Sequence, residues 1–178
     1  MIELKRIQRD DLIRLYEIEY SSKKPKWKEY DAPYFDDFEL KTYDEFILSS
    51  EIDFFLGERV KGIYFNDILV GIVSKYWENK KTRWLEIGIV IFDENFWSKG
   101  IGSKALSLWI DEIFNTEDNL EHIGLTTWSG NIGMMKCSLK IGMTLEGRIR
   151  KVRYHNNKFY DSMKYGILKD EWKSLKNL

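Results

Sequence analysis

The segment that decides the fold is WLEIGIVIFDENFWSKGIGSKAL, residues 84–106. An apolar run over residues 84–91 leads into a short polar loop, and glycines then open a stretch with helical apolar spacing. The pattern predicts a strand, a tight turn and a helix. Such a helix start suits an anion, because its first amides lack intrahelical partners and the helix dipole is positive there.

The predicted turn has the residues that a pyrophosphate requires. Gly100 and Gly102 leave the backbone open to a phosphate, and Lys99 adds a positive charge. The Walker pattern does not fit, because Gly102-Ser103-Lys104 has the wrong order, and the dinucleotide pattern needs three glycines in a parallel sheet. The glycines can also serve only a tight strand-to-helix turn.

The rest of the chain predicts a mixed α/β domain in the order β-α-α-β-β-β-α-β-α-β-β. The helices are expected after Asp10 or Asp11, from a capping box at Thr42 and Glu45, and over residues 100–115 and 132–141. Strands are expected at residues 2–4, 60–65, 68–77, 82–91, 123–128, 145–154 and 158–168. Because no repeat or linker interrupts this order, residues 1–178 are predicted to form a single domain.

Composition excludes several classes of protein. The chain has 178 residues, 28 basic and 29 acidic residues, a net charge of -1 and one cysteine. A disulfide framework is therefore excluded, and neither a membrane span nor a signal peptide is recognisable. We expect a cytoplasmic protein with no membrane partner, no direct nucleic-acid binding and no metal site.

Three motifs then resemble one family. Residues 97–102, WSKGIG, resemble motif A of the GCN5-related N-acetyltransferases (GNAT), Arg/Gln-x-x-Gly-x-Gly/Ala, with Trp97 in the Arg/Gln place. Residues 131–143, NIGMMKCSLKIGM, are similar to motif B. The run Glu146-Gly147-Arg148, then Asp161, residues 165–168 and Glu171-Trp172, resembles the end of the branch that includes the ribosomal-protein N-terminal acetyltransferases. The matches lie in the family's order and cover about half the chain.

The resemblance implies a GNAT fold, with a mostly antiparallel central sheet flanked by helices. It also implies an N-acetyltransferase that uses acetyl-CoA and attacks it directly with a primary amine in a ternary complex. The amine would belong to a protein N-terminus, a polyamine or an aminoglycoside-like molecule, and a homodimer is possible. The alternative is a non-catalytic domain of the same fold that senses CoA or a peptide.

The family's cofactor contacts carry over to this sequence. The resemblance implies that the CoA pyrophosphate meets the turn and that the pantetheine arm pairs with the end of the preceding strand. Asn131 would contact the cofactor from its helix start. These contacts fall on Ser98, Lys99, Gly100, Ile101, Gly102 and Ser103 for the pyrophosphate, and on Ile89, Val90 and Ile91 for the pantetheine.

Two residues are candidates for catalysis. Glu86 is the candidate base, and strand alternation places it on one face with Trp84 and Val90. Its alternative is a strand carboxylate paired with a Lys or Arg. Ser138 lies where many family members carry a Tyr that protonates the departing CoA thiolate, so the Ser138 hydroxyl is expected to hydrogen-bond the departing sulfur.

Two charged segments complete the pattern. Residues 29–45 hold seven acidic residues, one Lys and five aromatic residues, which would attract a cationic amine through Tyr34, Asp36 and Asp37. Alternatively, this segment is a solvated loop whose aromatics plug the core. Residues 146–164 hold six basic and two acidic residues. Alternation predicts Arg148 and Arg150 on one face and Lys151 and Arg153 on the other, which favours surface solvation or a guarded sheet edge over an RNA-binding surface.

Overall fold

The computed structural model describes residues 1–35 and 38–177. Within them the helices are α1 (Leu12–Glu19), α2 (Tyr43–Ile47), α3 (Glu51–Phe55), α4 (Ile101–Thr116), α5 (Ile132–Lys140) and α6 (Lys169–Lys176). The strands are β1 (Ile2–Lys5), β2 (Val60–Phe65), β3 (Ile68–Asn79), β4 (Trp84–Ile91), β5 (His122–Trp128), β6 (Thr144–His155) and β7 (Lys158–Leu168). Among these residues no helix is both long and apolar enough to cross a membrane.

The strands form one sheet in the order β1-β2-β3-β4-β5-β7-β6. Pairing is antiparallel between β1 and β2, β2 and β3, β5 and β7, and β6 and β7. Strands β4 and β5 are parallel and are joined through α4, and their register consists of Leu85 opposite Ile123 and Glu86 opposite Gly124. The predicted mixed α/β fold with a mostly antiparallel sheet is confirmed.

The chain divides into two compact units, Met1–Ser74 with Ile89–Ala105 and Lys75–Gly88 with Leu106–Leu178. The single domain expected for residues 1–178 therefore stays a prediction. Unit 1 has an aromatic core around Phe46, which is fully buried and packs against Tyr16, Tyr20 and Phe55.

The aromatics of residues 29–45 divide between the core and the surface of unit 1. Phe38 packs on Tyr20 and Trp27, and Tyr43 packs on Tyr16, so these two rings fill the core. Phe35, by contrast, is 64% exposed. The alternative that aromatic residues of this segment fill the core therefore holds for Phe38 and Tyr43, but it does not hold for Phe35.

The helix starts of unit 1 follow the predicted capping fully in one case and only in position in the other. The Thr42–Glu45 box is confirmed, since each residue's backbone amide donates to the other's side chain. Asp11 is the N-cap residue of α1, one of the two predicted positions, but its side chain makes no capping hydrogen bond to that helix. Instead a 3-10 turn precedes α1, and the backbone amide of Gln8 donates to Asp11 Oδ2 at 2.8 Å.

Unit 2 contains the end of β3, most of β4 and most of α4, followed by β5, α5, β6, β7 and α6. The predicted hairpin is confirmed, and Asn156 and Asn157 have φ values of 48° and 57°, as a type I′ turn requires. Helix α6 is not in the predicted order. It docks through Trp172, whose indole N–H donates to Asp111 Oδ1 at 2.8 Å.

Strand β6 is the edge of the sheet and has two register shifts. In the second shift Ile149 pairs with Ser162 and Arg153 with Tyr160, so three residues of β6 oppose Asp161 alone. Lys151 lies in this bulge with a φ of 57°. The predicted separation of the basic residues onto two faces is wrong for Lys151, because the bulge brings it into one cavity with Arg148 and Arg150.

Glu19, at the end of α1, is a buried carboxylate in unit 1. The residue is 9% exposed, and Oε2 has no hydrogen-bond partner among the described residues. Burial, with the negative charge of Glu51 adding to it, raises the pKa of Glu19 to about 8. The native state therefore holds a proton that the unfolded chain, with a pKa near 4.5, releases.

We expect the free energy of unfolding to fall as pH rises from about 4.5 to about 8, by up to about 1.4 kcal/mol per pH unit. The sign follows because the native state binds more protons than the unfolded state in this window. Glu19→Gln should remove most of the slope, measured by urea unfolding across the range. Glu17→Gln, an exposed position on the same helix, is the control and should keep the slope. An unchanged slope in Glu19→Gln would contradict the assignment.

Candidate active site

The end of β4, where the pantetheine contact is predicted, is held against β3 by a glycine. A Cβ added to Gly71 would lie 2.2 Å from Val90 O and 2.8 Å from Ile91 Cα. The Val90 carbonyl therefore points at the backbone of β3, and only glycine leaves room for it. The next residue, Phe92, donates its amide to Val70 O at 3.1 Å. The backbone at Val90 is thus fixed before the turn begins.

Trp97 ties the turn to this strand end. Its indole N–H donates to Ile91 O at 2.8 Å, and its ring makes an edge contact with Tyr30 at 5.5 Å. In the sequence Trp97 stands out only as a departure from motif A, because an indole hydrogen bond to a backbone carbonyl has no local sequence pattern. The carbonyl of Ile91 therefore already accepts a hydrogen bond from within the protein.

The turn itself has the backbone geometry of an anion nest. Ser98 and Gly100 have φ values of 58° and 78°, and Lys99 between them is not in the positive-φ region. Such alternation turns successive amides towards one point. All three residues are exposed, and a Cβ on Gly100 would meet no described atom within 4 Å. The residues fit a pyrophosphate.

Helix α4 continues the same arrangement. Its first helical bond runs from the Lys104 amide to Gly100 O at 3.1 Å, so the amides of Ile101, Gly102 and Ser103 precede the helical ladder. The Ile101 side chain is 1% exposed and anchors the helix start in the core. An anion would therefore meet the backbone of Ile101 and not its side chain.

Asn131 and Ser138 lie on α5, and both side chains are used within that helix. Asn131 is the N-cap, because its Oδ1 accepts the Met134 amide at 2.9 Å. Ser138 is fully buried, and its hydroxyl donates to Met134 O at 3.0 Å. The predicted cofactor and catalytic roles of these two residues stay predictions.

Glu86 lies at the centre of a polar network in unit 2. It is 2% exposed, and Oε2 accepts the Tyr76 hydroxyl at 2.8 Å and the Thr126 hydroxyl at 2.6 Å. Lys164 Nζ lies 3.3 Å from Oε1 and 2.9 Å from Thr126 Oγ1. The pairing of Glu86 with a lysine, kept open in the sequence analysis, is thus present, and its role as a base stays a prediction.

Aromatic rings border this network. Lys164 Nζ lies 5.7 Å from the centre of the Trp84 ring, which is 44% exposed. Burial, together with the Glu86 carboxylate, raises the pKa of Tyr76, so this phenol stays a donor. The sequence alone does not point to Tyr76, Thr126 or Lys164, because these partners come from three strands that meet only in the folded sheet.

Gly124 makes the room that Glu86 occupies. A Cβ on Gly124 would lie 3.0 Å from Glu86 Cγ and 3.4 Å from His122 Cε1. His122 in turn places Nε2 3.0 Å from both oxygens of Glu146. Two carboxylates and one imidazole are therefore gathered on this part of the sheet.

The predicted acceptor residues are placed only in part. Tyr34 makes an edge contact with Phe35 at 4.8 Å, and Asp36 and Asp37 lie outside the described residues. Their contact with an amine stays a prediction. In residues 1–35 and 38–177, no three His, Cys, Asp or Glu side chains gather as a metal site needs.

A comparison with protein families agrees with the fold. A model described as the acetyltransferase (GNAT) domain matches residues 2–144. The chain belongs to the GNAT acetyltransferase family, as the motif resemblance predicted.

Individual proteins show the same relationship. The chain is 37% identical over 87 residues to YnaD, named an uncharacterized N-acetyltransferase, and 30% identical over 115 residues to YdaF, named a candidate ribosomal N-acetyltransferase, both of Bacillus subtilis (strain 168). These matches cover 49% and 65% of this chain and 50% and 62% of the relatives. The chain thus spans about half to three-fifths of the length of the curated relatives it matches. RimL, a ribosomal L7/L12 alpha-N-protein acetyltransferase in complex with coenzyme A, has the same fold, with a TM-score of 0.75, 18% identity and coverage of 96% of this chain and 95% of RimL.

Gly124→Ala tests whether the space at Gly124 positions Glu86. The added methyl must displace the Glu86 side chain by a few tenths of an ångström, so we expect a loss of about 1–3 kcal/mol in unfolding free energy. Gly147→Ala is the matched control, since its Cβ would meet only Lys164 Cβ at 3.9 Å. Urea unfolding of both variants measures the difference, and equal losses would contradict the steric argument.

Proposed function

We propose that this protein is an N-acetyltransferase that moves an acetyl group from acetyl-CoA to a primary amine. The observation that carries the proposal is the turn at Ser98–Gly100, whose alternating φ values aim amides at a common point at the start of α4. Family membership supports the donor, because the turn lies where the GNAT pattern has its pyrophosphate contact.

Each part of the turn has a stated task in this proposal. The amides from Ser98 to Ser103 hold the pyrophosphate, and the Lys99 ammonium balances part of its charge. The end of β4 pairs with the pantetheine arm as an added strand would. Because Ile91 O is bonded to Trp97 and Val90 O faces Gly71, that pairing uses other backbone groups of residues 89–91.

Acetyl-CoA supplies an acetyl group on a thioester, so an amine forms the new N–C bond as the C–S bond breaks and the thiolate leaves. We assign Glu86 as the group that takes the proton from the amine. The hydroxyls of Tyr76 and Thr126 both donate to Glu86 Oε2, so they can pass a proton from the more exposed side of the network to the carboxylate. Lys164 positions the carboxylate through Oε1.

Ser138 has the weaker assignment. Its hydroxyl must leave the carbonyl of Met134 before it can bond a sulfur. A thiolate leaves without strong acid help, so the proposal does not depend on this residue. Ser138→Ala is therefore expected to change the rate less than any change to Glu86.

The acceptor is proposed as a cationic amine: a protein N-terminus, a polyamine or an aminoglycoside-like molecule. Seven acidic residues in segment 29–45 support this choice, since they raise the local concentration of cations. A cytoplasmic location, which the single cysteine favours, and a homodimer, which the family resemblance implies, belong to the same proposal.

Gly100→Ala tests the turn. Alanine costs about 1–2 kcal/mol in the left-handed region, so the nest should open and CoA affinity should fall about tenfold. Asparagine tolerates this conformation, and its side chain meets open space, so Gly100→Asn should restore most of the affinity. Calorimetric titration with CoA measures both. Equal affinity in wild type and Gly100→Ala would exclude the turn as the pyrophosphate site.

Glu86→Gln tests the base. The amide keeps the shape of the side chain and cannot take a proton, so kcat/KM at neutral pH should fall about a hundredfold or more. Glu146→Gln is the control, because Glu146 contacts His122 and not the Tyr76–Thr126 pair. A comparable loss of kcat/KM in Glu146→Gln, with Glu86→Gln unaffected, would move the base to His122.

Neutralising Asp36 and Asp37 together tests the acceptor side. The Asp36→Asn/Asp37→Asn variant should raise KM for the amine several-fold and leave KM for acetyl-CoA unchanged, because only the cation loses attraction. Initial rates over peptides, polyamines and aminoglycosides give both constants. An unchanged amine KM for every acceptor would contradict this role.

One observation favours the sensor alternative. The three donors on Glu86 and the internal bond of Ser138 leave both candidate catalytic groups engaged. The two functions differ in turnover: an enzyme releases free thiol from acetyl-CoA with at least one amine of a broad panel. Tight CoA binding with no thiol release across the panel would favour the sensor.

A further inference from the structure

We propose that the bulge of β6 forms a binding site for a phosphate group. A cavity of about 390 Å³ lies there in unit 2, a size within the range of small-ligand sites. Its lining includes Arg148, Arg150, Lys151 and Lys158, with Asp161 and Ser129. No residue of this site is part of the proposed acetyl-transfer machinery, so the inference does not rest on the proposed function.

The bulge assembles the cations. Three residues of β6 oppose one residue of β7, and the positive φ of Lys151 turns its backbone out of regular alternation. A regular strand would place Lys151 and Arg150 on opposite faces. The bulge therefore brings into one cavity charges that a regular pairing would separate.

Asp161 holds this arrangement in place. It is 8% exposed, and its two oxygens accept the Lys151 amide at 2.8 Å and Arg148 Nε at 2.5 Å. These bonds lower the pKa of Asp161 below its usual range. Its own amide donates to Ser129 Oγ at 2.9 Å, which ties the bulge to the end of β5. The Asp161 carboxylate is thus hydrogen-bonded within the bulge, and it is not exposed on the surface where it would repel an anionic ligand.

The charge balance selects the ligand. Four cationic side chains and one carboxylate leave an excess of three positive charges around the cavity. A phosphate dianion compensates more of this excess than a carboxylate does, and guanidinium groups match its geometry. The source is either a free phosphate compound or a nucleic-acid backbone, and the two share this chemistry.

Calorimetric titration of the full chain with inorganic phosphate tests the site. The variant Arg150→Gln/Lys158→Gln removes two exposed charges and should bind phosphate at least about tenfold more weakly. Lys140→Gln, an exposed charge on α5 outside the cavity lining, is the matched control and should bind as wild type does. Acetate at equal ionic strength should bind about tenfold more weakly than phosphate. Equal phosphate binding by wild type and the double variant, or equal binding of acetate, would overturn the proposal.

Asp161→Ala separates a built site from a diffuse positive field. Removal of a negative charge should tighten phosphate binding if only net charge matters. We expect weaker binding, because Arg148 and Lys151 lose their anchor, and thermal unfolding confirms that the variant is folded. Tighter binding would overturn the role of Asp161.

Two further titrations identify the source. A short oligouridylate that binds more tightly than inorganic phosphate, with an affinity that falls steeply with salt, supports a nucleic-acid backbone. Equal affinities support a free phosphate compound. CoA provides the last test: a tenfold loss of CoA affinity in Arg150→Gln/Lys158→Gln would assign the cavity to CoA and overturn a separate site.

Discussion

The parallel register of β4 and β5, which stops at Glu86 and Gly124, is the constraint on which the candidate site depends. Parallel strands bond at even intervals, so a longer register would engage the backbone of β4 from Ile87 onward. Among the described residues, the pairing of β4 with β5 ends at Glu86. The last pair also seats Glu86 over Gly124, because paired residues share a face of the sheet and glycine has no side chain there.

Beyond this pair, the protein fixes the end of β4 with two contacts of its own. Gly71 accepts the close approach of Val90 O, and Trp97 bonds Ile91 O. An extended ligand that pairs with this strand end therefore finds a backbone already set in position, with less ordering entropy to lose on binding. The same contacts restrict which backbone groups of β4 a ligand can use, so they also determine the register in which an extended ligand would pair with the strand.

Local pattern was sufficient for most elements and for the turn. The positions of the strands, the Thr42 capping box and the Asn156-Asn157 turn depend on neighbours in sequence, and each was predicted correctly. Helix α6 was missed because its sequence is mostly polar and it docks through Trp172 onto Asp111, sixty-one residues away. The partners of Glu86 were missed for a similar reason: Tyr76, Thr126 and Lys164 lie on three other strands, and only the folded sheet brings them to the carboxylate.

The prediction that failed, the separation of the basic residues of β6 onto two faces, shows what the assumption of strict alternation leaves out. Period-two reasoning assumes one residue of β6 for each residue of β7, and the bulge at 150–152 breaks that count. The exposed edge of a sheet is where such a break costs least, because no further strand must follow it. Asp161 stabilises the break by taking the amide of Lys151. In this chain, an acid opposite a run of basic residues on the edge strand thus accompanies a bulge, and at that bulge the basic residues converge instead of alternating.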